Sequence, residues 1–372
     1  MRVAINCRSF LTKQPTGIGR YAYHLVKSLA EIDHDNEYRL YANGGLFNFN
    51  KRLPRFNARN FAARNDWFCR GPAAVLKDAD VYHVPSPGPW ETPPAVPTVV
   101  TVHDVIFKAF PQGHTPQTIE AGERQFAEIK AKAAKIICCS RSTANDLQKY
   151  LQVPREKIAM VYQGIDRETF HPLGTGEGPA ADKLLKACGI GGPYLLSVGT
   201  IEPRKNLVNV IRAFHRLKTS GQFKGKLAVV GMRGWLHSDV GKITEQLALA
   251  KEIIFLGYVT DRALRYFYNR AEVFVFPSFY EGFGFPILEA FSCGVPVVTS
   301  NVSSCPEIAG DAALTVDPNS AEQIAAAIGR LLCDTALRDD LVRRGKRRAG
   351  DFDFRKTAEE TLKIYKEVYG KR

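Results

Sequence analysis

The chain has 372 residues, of which 45% are hydrophobic and 24% charged, and its formal net charge is +13. This is long for one hydrophobic core, so we expect two domains of under about 200 residues each. The composition is that of an ordinary soluble globular protein, and no apolar run approaches the roughly 20 residues of a membrane-spanning helix.

The N-terminus and the cysteines indicate a reducing, cytoplasmic location. M-R-V-A-I-N-C predicts a first strand. It does not predict a signal peptide, because its apolar run is far too short for the hydrophobic segment of one. The eight cysteines include no C-x-x-C pair and lie mostly in apolar runs, which is typical of buried, reduced thiols. We therefore expect neither a zinc site nor a disulfide framework.

The first half of the chain alternates between strands and helices. A loop that ends in Gly17 and Gly19 precedes a helical pattern, an arrangement that suits an anion, although for G-x-G alone a plain tight turn is the better interpretation. His103 and Asp104 directly follow the buried strand V-V-T-V, so we expect them at the crevice where parallel sheets bind ligands. The predicted strands are 3–7, 38–42, 81–84, 98–102, 135–139 and 158–162.

The second half repeats the alternation after a linker rich in glycine and proline, F-H-P-L-G-T-G-E-G-P. Arg204 and Lys205 lie in a strand-to-helix loop, where a guanidinium fork and an ammonium charge can bind a diphosphate. The alternative is a solvated turn. The predicted strands are 194–198, 227–230, 253–256, 273–276, 296–300 and 314–316.

The stretch from Phe274 to Ser300, F-V-F-P-S-F-Y-E-G-F-G-F-P-I-L-E-A-F-S-C-G-V-P-V-V-T-S, predicts a strand, a loop, a helix and a strand. Glu281 falls in the loop and Glu289 in the first helical turn, so both carboxylates can face the same crevice. Gly282 and Gly284 can take a positive φ or let a ligand approach the backbone, and Phe283 lies between them.

These segments resemble retaining glycosyltransferase family 4. The run from Glu281 to Glu289 matches its E-x7-E signature, and the matching segments elsewhere, in the family's order, are G-I-G-R-Y, V-H-D, Y-Q-G-I-D, G-T-I-E-P-R-K-N-L and S-S-C-P-E-I-A-G-D-A-A. The resemblance implies the α/β GT-B fold of two facing Rossmann-like domains with a cleft between them. The expected domains are an acceptor domain at 1–170, a donor domain at 171–352 and a helix at 353–372 that packs back on the first.

The resemblance also implies roles for residues of the first domain. Gly17 and Gly19 would approach the phosphates of the donor. His103 would contact the donor sugar, with Asp104 in support.

In the second domain, Arg204 and Lys205 would hold the leaving diphosphate. Glu281 would bind hydroxyls of the donor sugar and Glu289 those of the ribose, with Gly282, Phe283 and Gly284 forming the loop against the substrate. Tyr258 and Val259 stand where the family holds the nucleotide base.

The implied reaction moves a sugar from a nucleoside diphosphate to a saccharide or lipid-linked acceptor with retention, and bacterial mannosyltransferases using GDP-mannose are the nearest match. No cofactor or metal is expected, because each of the three D-x-D sequences precedes a strand or a helix rather than following a strand. The alternatives are a GT-B epimerase or phosphorylase, a non-catalytic sugar-nucleotide sensor and UDP-sugar donors. A nucleic-acid partner is not expected, since the basic charge comes without a recognised motif.

Residues 46–70 interleave six aromatic residues with six cations and a single acid, Asp66. Basic residues contribute about 1 kcal/mol each near an anionic bilayer, and aromatic groups favour its interface. One hypothesis is that this face docks on the cytoplasmic leaflet. The other is that the aromatic residues are core and the cations a solvated face.

Overall fold

The structure, a computed structural model, describes residues 1–11, 17–43, 53–54, 56–66, 68, 70–88, 96–232, 234 and 238–371. It contains two compact units. The first comprises Met1–Gly164 together with Phe352–Arg372, and the second comprises Ile165–Asp351. The C-terminal segment therefore belongs with the N-terminal residues.

The first unit is built on a parallel sheet with the order β3-β2-β1-β4-β5-β6-β7. The strands are β1 (Arg2–Asn6), β2 (Glu37–Ala42), β3 (Phe61–Asn65), β4 (Val81–Val84), β5 (Thr98–Val102), β6 (Lys135–Cys138) and β7 (Ile158–Met160). The helices before the C-terminal one are α1 (Gly17–Ile32), α2 (Pro72–Val75), α3 (Ile106–Ala109), α4 (Pro116–Lys132) and α5 (Arg141–Leu151). The central strand β5 is buried throughout, as its uninterrupted T-V-V-T-V sequence predicts for a parallel sheet with both faces covered.

The second unit repeats this plan with the order β10-β9-β8-β11-β12-β13, again parallel. Its strands are β8 (Tyr194–Val198), β9 (Lys226–Val230), β10 (Ile253–Gly257), β11 (Val273–Phe276), β12 (Val297–Ser300) and β13 (Leu314–Val316). Its helices are α6 (Gly178–Ala187), α7 (Leu207–Thr219), α8 (Ser238–Gln246), α9 (Asp261–Arg270), α10 (Phe285–Cys293), α11 (Cys305–Ala309), α12 (Ala321–Cys333) and α13 (Thr335–Gly350). Apolar side chains of α7 and α12 pack on the strands to form one core.

The C-terminal helix α14 (Phe354–Tyr369) completes the first unit. The Phe354 ring stacks on His24 of α1 at 4.8 Å between centroids, and the Tyr365 hydroxyl lies 2.6 Å from Nδ1 of His83 on β4. Gly164 permits the close approach of the chain before α14, because a Cβ there would overlap the backbone nitrogen of Phe354. The helix that the sequence predicts at the C-terminus thus supplies part of the N-terminal unit's core.

The predicted strands are confirmed, with ends that differ by a residue or two, and the sheet contains one further strand, β3. This strand lies within the aromatic and basic stretch. Its first residue, Phe61, stacks on Tyr38 of β2 at 4.2 Å, and Phe56 contacts Phe61, so these two aromatic residues are half-buried against the sheet.

The remaining described residues of this stretch include both exposed and buried side chains. Phe68 is 68% exposed, and the side chains of Arg59, Arg64 and Arg70 also face solvent. Asp66 is buried and accepts hydrogen bonds from the Tyr41 hydroxyl and from two backbone N–H groups. Phe47, Phe49, Lys51, Arg52, Arg55 and Trp67 lie outside the described residues. Within the described part of the chain, no helix is long and apolar enough to cross a membrane.

Candidate active site

The loop between β11 and α10 carries the predicted carboxylate Glu281, and of its two glycines Gly284 has a positive φ whereas Gly282 does not. Gly284 has φ +115° immediately before the helix, and Gly294 ends the helix with φ +79°. These are left-handed conformations that glycine adopts without strain. Glu289 is the fifth residue of α10, just beyond the first turn in which the sequence placed it.

Glu281 is the centre of a buried ionic cluster. Its side chain accepts hydrogen bonds from Arg204 Nη1 at 2.8 Å and from Lys205 Nζ at 2.6 Å. The residue itself is 7% exposed. The two cations that the sequence assigns to a diphosphate are therefore held next to each other by one carboxylate.

A second acid belongs to the same cluster. Glu202 is buried, and its Oε1 lies 2.6 Å from Arg204 Nε. Two carboxylates thus balance the charges of two cations, and the Arg204 guanidinium contacts Glu202 through Nε and Glu281 through Nη1. The sequence analysis gave Glu202 no role, although it lies within the I-E-P-R-K segment.

The pKa values of the cluster follow from this arrangement. Burial alone would raise the pKa of Glu281, but the charges of Arg204 and Lys205 outweigh it and hold that pKa below its usual value. Burial and the neighbouring Arg204 lower the pKa of Lys205, against the opposing effect of Glu281. Glu281 is therefore firmly ionised, whereas Lys205 loses its proton more readily than an exposed lysine does.

The backbone around Glu281 is held by two serines after β12. Ser303, in a left-handed conformation with φ +60°, accepts from the Glu281 N–H and donates to the Glu281 carbonyl. The Ser304 hydroxyl lies within hydrogen-bond distance of the Glu281 and Phe283 carbonyls, at 2.9 and 2.7 Å. Both serines belong to the segment S-S-C-P-E-I-A-G-D-A-A, but the sequence alone does not predict that they orient the loop.

The second carboxylate, Glu289, is buried on α10. The hydroxyl of Tyr268 on α9 donates a hydrogen bond to Glu289 Oε2 at 2.9 Å. Tyr268 is itself fully buried, and its ring packs edge-on against Phe274 of β11. The carboxylate is thus fixed by a rigid aromatic residue that the sequence did not single out.

Sheet topology explains why the cluster forms where it does. β8 lies between β9 and β11, so the strand order reverses at the β8/β11 junction. Ligands of open parallel sheets bind beyond the carboxyl ends of the strands at such a reversal. Arg204 and Lys205 follow β8 and Glu281 follows β11, so the cluster occupies this position. Tyr258, 45% exposed, and Val259 follow β10 at the same edge of the sheet.

In the first unit, His103 lies directly after β5 and is buried. Its Nε2 is 2.7 Å from the Pro85 carbonyl, its Nδ1 is 2.9 Å from Gln163 Nε2, and the ring of Tyr21 meets it edge-on. Asp104, half-buried, accepts a hydrogen bond from the Ile106 N–H. Both ring nitrogens of His103 therefore have protein partners, and the sequence did not predict Gln163.

Gly17 and Gly19 open α1 rather than lying in a loop before it. Tyr21, the fifth residue of α1, contacts the His103 ring, so the start of α1 lies beside His103. One aspartate of each D-x-D sequence makes contacts within the fold. Asp33 binds Tyr38 and Asn36, Asp78 pairs with Arg39, and Asp353 caps α14 by accepting from the Arg355 N–H.

Chemically, the second unit offers a rigid cluster in which two cations, balanced by two carboxylates, can contact the oxygens of a diphosphate. An arginine fork and an ammonium group can stabilise charge that develops on a leaving oxygen, since they are preorganised and partly desolvated. Within the described residues, no group of three or more His, Cys, Asp or Glu side chains is arranged to hold a metal ion.

Comparison with known proteins agrees with this geometry. Residues 189–348 match the family model "Glycosyl transferases group 1", and residues 15–169 match the model "Glycosyltransferase Family 4". The O-antigen chain mannosyltransferase B of Escherichia coli is 31% identical, over 94% of this chain and 96% of that protein.

Solved structures share the fold at lower identity. The sucrose-phosphate synthase of Thermosynechococcus elongatus superposes with a TM-score of 0.78 at 19% identity, covering 100% of both chains. The Anabaena protein HepE, solved in complex with UDP and glucose, has a TM-score of 0.73 at 15% identity, covering 99% of this chain and 100% of that one.

Two Rossmann-like units with parallel sheets, matched over their full length by solved structures, define the GT-B fold, and the two family models identify the protein as a glycosyltransferase. The match to both family models and to a relative of 31% identity along nearly the whole chain makes the assignment specific. The chain belongs to glycosyltransferase family 4.

Proposed function

We propose that the protein transfers mannose from GDP-mannose to a saccharide or lipid-linked acceptor, with retention of anomeric configuration, in the synthesis of a cell-surface polysaccharide. The observation that carries the transfer chemistry is the Arg204–Lys205–Glu281 cluster at the strand-order reversal of the second unit. The choice of mannose and of a polysaccharide acceptor is supported by the O-antigen mannosyltransferase of E. coli.

In this mechanism the diphosphate of the donor binds Arg204 and Lys205. As the bond from the anomeric carbon to the diphosphate oxygen breaks, negative charge grows on that oxygen, and the two cations stabilise it. The acceptor hydroxyl attacks from the same face and gives its proton to the departing diphosphate. Catalysis then depends on positioning and charge stabilisation and requires no protein nucleophile.

The remaining residues bind and orient the donor. Glu281, kept ionised by its cations, accepts hydrogen bonds from hydroxyls of the sugar, and Glu289, held by Tyr268, accepts them from the ribose. Tyr258 offers an exposed aromatic face to the nucleotide base. We propose that the reaction needs no divalent metal, because the two cations provide the charge that a metal supplies in other transferases.

If the acceptor is linked to a membrane, the basic charge of the protein would attract it to anionic lipid. Phe68 is exposed, with the Arg70 guanidinium 5.9 Å from its ring centroid, so an aromatic group and a cation are presented together. We propose that this face of the first unit contacts anionic lipid. Sedimentation with anionic vesicles at low salt should recover the protein, and a Phe68→Ser/Arg70→Gln variant should bind less; equal recovery on neutral vesicles would contradict the proposal.

Donor choice is tested by thermal shift with GDP-mannose, UDP-glucose and ADP-glucose. A ligand at about 100 times its dissociation constant adds roughly 2.7 kcal/mol to stability, so the preferred donor should raise the melting temperature most. A larger shift with UDP-glucose would replace GDP-mannose by a UDP-sugar, the ligand type in the HepE complex.

The reaction itself is tested by NMR of the product with EDTA present. An α-linked product from an α-linked donor supports retention without metal. Free sugar, a sugar phosphate or an epimerised donor would instead favour a hydrolytic, phosphorolytic or epimerase activity. Binding without any turnover on an acceptor panel would favour a sugar-nucleotide sensor.

A further inference from the structure

A buried amide and imidazole form a pair at the carboxyl edge of the first unit's sheet. His103 immediately follows β5, and Gln163 lies three residues beyond the end of β7. Gln163 is 1% exposed, and its Nε2 is 2.9 Å from His103 Nδ1. This is the edge where an open parallel sheet binds its ligand.

The partners on either side determine the protonation of His103. The Pro85 carbonyl can only accept a hydrogen bond, so Nε2, 2.7 Å away, carries a proton and donates it. Burial lowers the pKa of His103, despite opposing effects of the Pro85 carbonyl and Asp104, so the ring is neutral. Nδ1 therefore has a lone pair and accepts.

This assignment decides the orientation of the Gln163 amide. The amide has an acceptor oxygen and a donor NH₂ group, and only the NH₂ group can donate to a lone pair. The Gln163 NH₂ must face His103, and its carbonyl oxygen Oε1 must face away. Among the described residues, Oε1 is buried and has no hydrogen-bond partner.

A buried acceptor without a donor is costly, and native proteins leave few of them. We propose that Gln163 Oε1 accepts a hydrogen bond from one hydroxyl of the transferred sugar, and that His103 acts by holding the amide in this orientation. The proposal rests on the proposed function. It shifts the direct contact from His103, whose two ring nitrogens are already used, to a residue for which no role was predicted.

The consequence is selectivity for the donor. A site built to bond a hydroxyl discriminates strongly against a sugar that lacks it, because the acceptor is then left buried and unpaired. The hydroxyl is a neutral donor, which suits a neutral amide oxygen in a site where the neighbouring imidazole carries no charge.

The test is a double-mutant cycle between protein and substrate. GDP-mannose and its monodeoxy analogues, each lacking one hydroxyl, are assayed with the parent and with Gln163→Met, which keeps the length of the side chain and removes its amide. We expect one analogue to lose at least tenfold in kcat/KM with the parent. The variant should lose a similar factor with GDP-mannose and should show no further loss with that analogue.

Multiplicative losses for every analogue would overturn the proposal, since Oε1 would then bond to no hydroxyl of the sugar. The Kd for GDP alone should be the same in parent and variant. If the parent turns over no sugar nucleotide at all, the proposed function fails, whereas turnover with multiplicative losses removes only this inference.

A second readout does not depend on activity. In ¹⁵N-histidine NMR spectra, His103 of the parent should be the Nε2–H tautomer. Gln163→Glu, the variant of nearly identical shape, presents a carboxylate oxygen to Nδ1 and should raise the pKa of His103 above that of the parent in an NMR titration. An Nδ1–H tautomer in the parent, or an unchanged titration in the variant, would contradict the pairing.

Discussion

Replacing Lys205 with methionine separates the stability of the buried cluster from its chemistry. The substitution removes the ammonium group 2.6 Å from Glu281 and leaves Arg204 Nη1, at 2.8 Å, as the carboxylate's nearest cation. Removing one partner of a buried ion pair costs about 3–5 kcal/mol when the other charge is left alone. Because Arg204 remains, we expect the smaller loss of a charged hydrogen bond, about 1.5–3 kcal/mol.

The chain offers a matched control in the same unit. Lys218 pairs with Glu252 at 2.9 Å and lies 6.0 Å above the Phe214 ring, as Lys205 lies 4.9 Å above Phe276. Its pair is more exposed, so Lys218→Met should change stability by no more than about 1 kcal/mol. Urea unfolding followed by circular dichroism measures both variants against the parent.

The double variant Lys205→Met/Glu281→Gln completes the cycle. It replaces the charged pair with two neutral groups of similar size, so most of the lost stability should return. Turnover of the double variant should nevertheless be low, because the leaving diphosphate has lost a cation and the sugar hydroxyls have lost a carboxylate, and we expect its kcat to be at least tenfold below that of the parent. A stable, fully active Lys205→Met variant would refute the cluster's role in both fold and reaction.

Acid should act on the same cluster. The folded-state pKa of Glu281 is lowered, so its contribution to stability is present above the unfolded pKa of about 4.3 and is lost as pH falls through the folded value. The unfolding free energy of the parent should therefore fall more steeply below pH 4 than that of Glu281→Gln. Parallel pH profiles for the two proteins would show that the carboxylate is not held ionised by its neighbours.

Three further variants test other parts of the molecule. Glu289→Ala should weaken binding of GDP by more than tenfold in calorimetry, since a charge-assisted hydrogen bond is worth about 1.5–3 kcal/mol, and unchanged affinity would remove the ribose assignment. Burial lowers the pKa of His83 to about 3, so between that pH and the ordinary histidine pKa of about 6.5 the unfolded chain binds a proton that the folded chain does not. In this range the unfolding free energy of the parent should fall, as the pH falls, by about 1.4 kcal/mol per pH unit more than that of His83→Gln. Gly164→Ala should destabilise the protein, because its Cβ would overlap the backbone of Phe354, whereas Gly88→Ala, where no atom of the described residues lies within 4 Å of the new Cβ, should not; equal melting temperatures would show that α14 can adjust.

Local patterns were enough to predict most of the secondary structure. Buried strands such as β5 and β11 are short apolar runs bounded by turn residues, and the helix caps are set by neighbouring residues, as with Ser140 before α5. The sequence does not locate the strand β3, because F-A-A-R-N has only one large apolar residue and the middle of the strand is exposed. It is a strand because β2 offers it an edge.

The sequence by itself determined the order of elements and the motifs that identify the family, because both depend on residues within a few positions of each other. Only the tertiary structure decided which groups bond. Lys205 and Glu281 are separated by 76 residues, and Gln163 and His103 by 60. Their pairing depends on adjacent parallel strands ending at a common edge, and hydrogen-bond direction then follows from partners such as the Pro85 carbonyl, which no local pattern of sequence encodes.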